Sequence, residues 1–408
     1  MKLLYHAAII GYRLDKFGIK FHICPNNTIA FRINHTLQFI YTLYLAKPKQ
    51  VTMKKHNFNS GPSILPQTVL EQASQAILEF NNTGLSLLEI GHRTTYFMDV
   101  LSEARLLVKE LMHLDDSYDV LFLHGGATTQ FMQVPMNLLD DNETAAYCDN
   151  GIWGSKAVKE AALFGKVNVV ASSKDKNHTY INKGFDISTN AKYLHITTNN
   201  TVEGTQWHNF PDTSVPIVAD MSSDIFSRQM DFKKFSLIYA GAQKNMGAAG
   251  VNLVVVKKEI LGKINRPIPS IMNYQKHIAA DSLMNTPPVF AVYVAMLTLR
   301  WIKDEGGLVE MERRSLEKSN LLYSTLDSLP IFTPTVVKED RSHMNAVFIL
   351  TNPEHEAPFL ELCKNNGMIG VKGYRTVGGV RVSMYNALPL ESVQIFCDLM
   401  KQFSNSVN

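Results

Sequence analysis

From about Leu70 onward, amphipathic stretches alternate with short apolar runs. Residues 69–80 and 97–112 carry apolar side chains at helical spacing, which predicts a helix over each. Seven short runs follow, at 120–123, 144–148, 167–171, 193–197, 217–219, 237–239 and 251–256, several of them separated by helix-length stretches such as 154–164. Runs of this length, rich in Val and Ile and bounded by Gly or Asp, suit a mostly parallel sheet covered on both faces. Thr286-Pro287-Pro288 then opens a predicted helix over 289–304, which Gly306-Gly307 ends, and a second helix is predicted over 308–329. Past Pro330 the pattern becomes α+β, with strands at 346–350 and 380–385 and helices at 357–366 and 390–403.

The pattern predicts an α/β fold with a large, mostly parallel seven-stranded sheet domain and a smaller α+β C-terminal domain. The expected divisions are an extension over 1–52, an N-terminal segment over 53–68 tied to the active site and small domain, a large domain over 69–305 and a small domain over 306–408. A chain of 408 residues exceeds one ordinary core, which agrees. With 45% hydrophobic and 19% charged residues, the composition is that of a soluble globular protein, expected in the cytoplasm. A net charge of +3 with no sustained basic stripe gives no footprint for nucleic acid. Four cysteines without CxxC spacing predict neither a disulfide framework nor a metal site.

Residues 1–52 differ in composition, with one acid, Asp15, against seven Lys or Arg. Arg13, Lys16, Lys20 and Arg32 interrupt every apolar stretch short of the roughly 18 residues a membrane span needs. No small-residue cleavage site follows a clean apolar core, and Ser and Arg are too few for an ordinary transit peptide. The expectation is that Met53 begins the functional chain and that the upstream part is an extension or a leader.

Candidate chemistry gathers at the ends of the apolar runs. The run ending in Ile238 leads through Tyr239-Ala240-Gly241-Ala242-Gln243 to Lys244, and another leads through Val218-Ala219 to Asp220. Small residues before a lysine leave room for a bound aldehyde. One lysine and one acid, each ending its own buried strand, is the pairing that pyridoxal phosphate (PLP) requires: the lysine forms the Schiff base and the acid keeps the ring nitrogen protonated. His124-Gly125-Gly126-Ala127-Thr128 reads as a strand end, a tight turn and a helix start, which is either a phosphate cradle or an ordinary βα turn. Trp153, beside Gly151 and Gly154, either lies flat on a planar ring or fills the core. Thr201 either donates to a cofactor oxygen or caps a turn. Arg93 and Arg375 sit in loops, while Arg381 alternates within an apolar strand, an arrangement that aims it at a cleft. Arginine forks suit substrates with two anionic ends. His124 is expected to be a packed strand-end histidine.

Together these motifs are recognisable. From about His56 to Phe403 the chain resembles phosphoserine aminotransferases, which are fold-type I, class V PLP enzymes. The matching pieces are Phe58-Asn59-Ser60-Gly61-Pro62, Gly91-His92-Arg93, His124-Gly125-Gly126, Trp153, Ala219-Asp220-Met221-Ser222-Ser223, Tyr239 to Asn245, Met284-Asn285-Thr286-Pro287-Pro288 and Gly378-Gly379-Val380-Arg381-Val382-Ser383-Met384-Tyr385-Asn386-Ala387. The resemblance implies that Lys244 links the cofactor and shuttles the proton, that Asp220 pairs with the ring nitrogen, that Trp153 stacks on the ring and that Thr201 bonds its O3′. It implies that the Ala127 and Thr128 backbone, with Gln243, holds the phosphate, helped by Asn285 and Thr286 of a second subunit. Ser60, His92, Arg93, Tyr374, Arg375 and Arg381 are then the substrate pocket, with Arg381 on the α-carboxylate. It further implies a homodimer with shared sites. The implied reaction is 3-phosphohydroxypyruvate with L-glutamate, giving O-phospho-L-serine and 2-oxoglutarate in serine biosynthesis. Relatives in many bacteria extend this to 3-hydroxy-2-oxo-4-phosphooxybutanoate in pyridoxine synthesis. Two positions depart from the family pattern: Tyr374 stands where histidine is frequent, and Ala127-Thr128 where some members carry Gly-Arg.

Two rival readings are testable on the same residues. One is another class V enzyme, such as a cysteine desulfurase or a different aminotransferase; a desulfurase needs a reactive thiol on a mobile loop, whereas Cys363 falls in a helical apolar pattern. A non-catalytic binding protein of this fold needs a damaged Lys–Asp–Trp set, and all three residues are present.

Overall fold

The computed structural model describes residues 19–23, 29–33 and 54–407. Most of the extension expected over 1–52 therefore lies outside the described residues, as does Cys24. Within it, β1 (Ile19–Ile23) and β2 (Ile29–Ile33) pair antiparallel, with Ile19 opposite Ile33. The rest of the described chain opens with β3 (His56–Asn57), then α1 (Gln67–Leu78) and α2 (Thr95–Leu111).

Strand–helix alternation then begins: β4 (Tyr118–His124), α3 (Ala127–Leu138), β5 (Thr144–Asp149), α4 (Ile152–Ala161) and β6 (Lys166–Ser172). Next come β7 (Leu194–Thr197), β8 (Ile217–Asp220), β9 (Phe235–Gly241) and β10 (Val251–Lys257), followed by α5 (Tyr274–Ala279) and α6 (Val289–Asp304). These strands form one seven-stranded sheet in the order β4-β10-β9-β8-β7-β5-β6. Only β10 runs antiparallel to its neighbours.

Apolar side chains sit on both faces because both faces are covered. On one face Val120, Phe122, Ile238, Ala240, Val251 and Leu253 join the core with α2 and α6. On the other, Leu121, Leu123, Leu237, Tyr239, Val254 and Val256 pack with α3, α4 and α5. The period of two explains why the runs read as continuously apolar. The short α5 escaped the sequence reading because six residues are too few to establish a period.

A smaller core follows. It is built on α7 (Gly307–Ser328), β11 (Phe332–Pro334), β12 (Asn345–Leu350), α8 (Glu356–Asn365), β13 (Met368–Ile369), β14 (Val380–Ser383) and α9 (Leu390–Val407). β11, β12 and β14 make an antiparallel sheet, and β13 pairs parallel with β3. Phe58 enters this core with its ring 5.4 Å from Phe396. The chain just after β3 is thereby pinned to the small core, which fixes where Ser60 stands.

Candidate active site

The carboxyl ends of β4, β5, β7, β8 and β9 all point to one edge of the large sheet, because β4 and β9 both oppose β10. Ligands in open α/β sheets bind beyond this edge. In register, Thr197 lies beside Asp220 and Asp220 beside Tyr239, while His124 and Gly241 flank the start of β10. Asp220, Gly241 and the glycine turn after β4 therefore share a rim.

Lys244 sits on the turn after β9. The backbone N–H groups of Met246 and Gly247 both donate to the Ala242 carbonyl. A Cβ on Gly247 would stand 3.1 Å from the Ala295 backbone of α6, so the small residues of this segment permit close packing there. As a residue Lys244 is half-buried, yet its amine donates inward to Thr201 Oγ1 at 2.7 Å. Burial lowers the amine to about 8; the Asp220 charge opposes this and the Arg381 charge adds to it. Thr201 also joins Lys244 to the arginine: Arg381 Nη1 donates to the Thr201 carbonyl at 3.4 Å, and Nη2 donates to Ser60 Oγ at 2.7 Å. Arg381 is buried, its Nε has no partner, and its guanidinium lies 6.0 Å from the Tyr374 ring. The inward aim read from strand alternation is what β14 gives.

Asp220 is buried, and its Oδ1 accepts from the Ser222 N–H at 2.9 Å. Burial raises its pKa, while the Ser222 bonds and the Lys244 charge pull the other way. At the glycine turn Gly125 has φ +90°, and a Cβ there would meet Thr129 Oγ1 at 2.3 Å. Gly126 has open space where its Cβ would be, directly before the first turn of α3, which holds no acid.

Trp153 lies in the first turn of α4, with its Nε1 buried and unpartnered and Lys156 Nζ 4.3 Å from its ring centre. Glu203 fixes this helix start, because its Oε1 accepts from the Ile152 N–H at 2.8 Å while its Oε2 has no partner. Burial lifts the Glu203 pKa from 4.5 to about 7, Asp149 adds to the rise, and the Ile152 bond and Arg381 oppose it. A carboxyl whose folded pKa is raised binds more protons in the folded state. Its contribution to stability is therefore lost as pH climbs through the window from 4.5 to about 7. Glu203→Gln keeps the acceptor for Ile152 and removes the titration, so its melting temperature should fall less between pH 5 and pH 8 than that of the parent. Identical pH dependence in the two proteins would contradict the assignment.

Lys244, Thr201, Asp220, Arg381, Ser60 and Tyr374 are thus gathered, and Trp153 is tied to them through Glu203. Arg93 and Arg375 are exposed and His92 is half-buried, all three outside the helices and strands. Thr286 is exposed, and its carbonyl lies 2.5 Å from His124 Nε2 of the same chain, which sets Asn285 and Thr286 beside the glycine turn. His124 itself is exposed rather than packed, because β4 ends there and its ring turns to the Thr286 loop. A cleft of about 590 Å³, lined by Ile152, Ser155, His178, Glu203, Thr376 and Val377, connects the Glu203 cluster with the Arg375 loop. Glu203 was missed from sequence, and Tyr385, whose Oη donates to the Ser60 carbonyl at 2.9 Å, stands in a matching motif without an expected role. An acid inside the otherwise buried run after Thr201 was the available signal for the first.

The class-V aminotransferase family model matches residues 55–396. A phosphoserine aminotransferase of Flavobacterium johnsoniae is 55% identical over 356 residues, covering 87% of this chain and 100% of the relative. The chain belongs to the phosphoserine aminotransferase family. Another member, from Bacteroides thetaiotaomicron, is 52% identical over 354 residues, which is 86% of this chain and 99% of that one. The solved phosphoserine aminotransferase of Bacillus circulans subsp. alkalophilus superposes with a TM-score of 0.85 at 40% identity, covering 87% of this chain and 99% of that chain. The PLP-bound enzyme from Trichomonas vaginalis gives 0.80 at 32% identity, covering 85% of this chain and 100% of that chain.

Class-V aminotransferases work with PLP, and the residues present in this family member fit that cofactor. They supply a buried acid, a lysine amine lowered toward neutrality, an indole with one face under Lys156, and a glycine cradle with room above Gly126. Thr197 Oγ1, beside Asp220 on the rim, is buried without a partner. The fold is the expected α/β one.

Proposed function

We propose that this chain transfers the amino group of L-glutamate to 3-phosphohydroxypyruvate, giving O-phospho-L-serine and 2-oxoglutarate. The observation that carries the reading is the double use of Thr201: its hydroxyl holds the Lys244 amine and its carbonyl holds Arg381. A substrate whose carboxylate is forked by Arg381 therefore brings its Cα to the lysine. PLP, when bound, supplies an electron sink for charge developing at that carbon.

In this reading Lys244 Nζ takes the proton from the substrate Cα and returns it, a role suited to an amine lowered to about 8. With PLP bound, Asp220 would keep its ring nitrogen protonated, Trp153 would lie against its ring, and Thr201 would bond its O3′. The Ala127 and Thr128 N–H groups, with Gln243, would hold its phosphate. Ser60 orients Arg381, and Tyr374 with Arg375 meets the distal anion. The same pocket would accept 3-hydroxy-2-oxo-4-phosphooxybutanoate, one carbon longer.

His92, Arg93, Asn285 and Thr286 complete the site in a homodimer. Leu85, Leu88, Tyr96 and Met98, exposed on either side of His92 and Arg93, support that arrangement. Sedimentation should give a dimer, and a monomer with full activity would sink the shared-site reading. No described helix is long and apolar enough to cross a membrane. A desulfurase is disfavoured, since Cys363 is buried in α8 and burial pushes its thiol to about 12.

The test of substrate class compares phosphohydroxypyruvate with hydroxypyruvate, glutamate being the donor. Charge-assisted hydrogen bonds to the phosphate are each worth about 1.5–3 kcal/mol, so kcat/KM should favour the phosphorylated acid by roughly 10- to 100-fold or more. Equal values would overturn the proposal.

A further inference from the structure

α7 presents Met311, Ser315, Leu322, Thr325 and Leu326 to the interior. Lys318 lies on the same buried face and is only 1% exposed. A leucine or methionine is what this helix pattern asks for there. Instead the amine donates to the Tyr385 carbonyl at 2.6 Å and to the Leu388 carbonyl at 3.1 Å. These two carbonyls bound a tight turn, in which the Leu388 N–H also donates to the Tyr385 carbonyl. The turn directly follows β14, the strand that carries Arg381, and leads into α9.

What the turn holds is the wall of the carboxylate site. Tyr385 Oη donates to the Ser60 carbonyl at 2.9 Å, and Ser60 Oγ in turn receives Arg381 Nη2. The Asn386 N–H donates to Asn245 Oδ1 at 3.0 Å, one residue from Lys244, and Asn386 Nδ2 donates to the Phe226 carbonyl at 2.8 Å. Sliding this turn would move Ser60 and the Lys244 segment together. We propose that Lys318 is a positioning residue for the substrate α-carboxylate site, clamping the Tyr385–Leu388 turn so that Tyr385 and Ser60 seat the Arg381 fork. The inference rests on the reading of Arg381 as the carboxylate fork.

The chemistry of the clamp is consistent with its burial. Burial, with the Arg314 charge adding, lowers the amine to about 7. A neutral amine retains two N–H groups, which matches the two carbonyls it serves, so the clamp does not depend on keeping its charge.

Lys318→Met preserves length and apolar bulk and removes both donors. Because every substrate of the reaction presents the same α-carboxylate, the KM values for amino donor and oxo acid should rise together. About tenfold is expected, with kcat within about threefold of the parent. Tyr385→Phe, which cuts the turn from Ser60, should produce the same paired rise, and the double variant should be no worse than Lys318→Met alone. Arg381→Met, measured alongside, separates the clamp from the fork it serves. If it raises both KM values while Lys318→Met only lowers the melting temperature, the clamp is overturned and the carboxylate reading stands. If Arg381→Met leaves both KM values unchanged, the carboxylate reading falls and the clamp with it. Should Lys318→Met fail to fold, Tyr385→Phe decides: unchanged KM values overturn the inference.

Discussion

Lys244→Ala should yield a folded protein whose transamination rate has fallen by a factor on the order of 10⁴ or more. The expectation follows from what the amine does rather than from what it supports. A positioned acid–base group contributes about 10²–10⁴ on its own, and here the same atom also attaches the cofactor. The loss in folding stability should be small or absent, because burial, with the Arg381 charge adding to it, holds the amine at about 8, below its ordinary 10.5. A lysine with a lowered folded pKa binds fewer protons folded than unfolded, so it weakens the fold of the free protein below its unfolded pKa. Alanine removes that penalty and gives up the hydrogen bond to Thr201 Oγ1 and the attraction to Asp220. The readouts are single-turnover rate, melting temperature, and cofactor retained after borohydride reduction and denaturation. Reduced parent protein should keep PLP covalently and the variant should not. A variant that retains covalent PLP, or that turns over within tenfold of the parent, would falsify the assignment of Lys244.

The large sheet was legible because its strands are buried on both faces and therefore read as short unbroken apolar runs. Their C-terminal residues, Asp220 and Gly241 among them, stood out by breaking those runs. Arg381 was legible for a related reason: a charge at an alternating position of an apolar strand has to point somewhere polar. Glu203 was not, since its meaning comes from Ile152, fifty-one residues earlier, whose N–H it accepts. Lys318 was equally hidden, because its partners are the backbone carbonyls of Tyr385 and Leu388, and a carbonyl has no sequence signature. β3 and β13 escaped as well. Two-residue strands have no period, and their pairing is a long-range contact between His56 and Met368.

Asp220→Asn should lower kcat by roughly 10²–10³ while leaving the sheet and most of the bound cofactor in place. The substitution is nearly isosteric, and Asn Oδ1 can still accept from the Ser222 N–H that Asp220 engages at 2.9 Å. What disappears is a preorganised negative charge in a buried site, and losses of that kind run to about this size. The amide also presents N–H groups where the carboxylate presents lone pairs, which favours an unprotonated ring nitrogen and so a poorer electron sink. Stability should move the other way in the cofactor-free protein. Burial raises the Asp220 pKa, so the folded state binds more protons than the unfolded chain, and stability is lost as pH climbs from 3.8 through the folded value. The parent without cofactor therefore bears a burial cost for this carboxylate, only partly offset by the Ser222 bonds and the Lys244 charge, that the variant lacks. Cofactor binding compensates it in the parent alone, so the rise in melting temperature on adding PLP should be larger for the parent than for Asp220→Asn. Melting curves with and without PLP, taken beside kcat, decide the matter. A variant with kcat within threefold of the parent and an equal PLP-induced shift would mean that Asp220 is a structural acid and not the partner of the ring nitrogen.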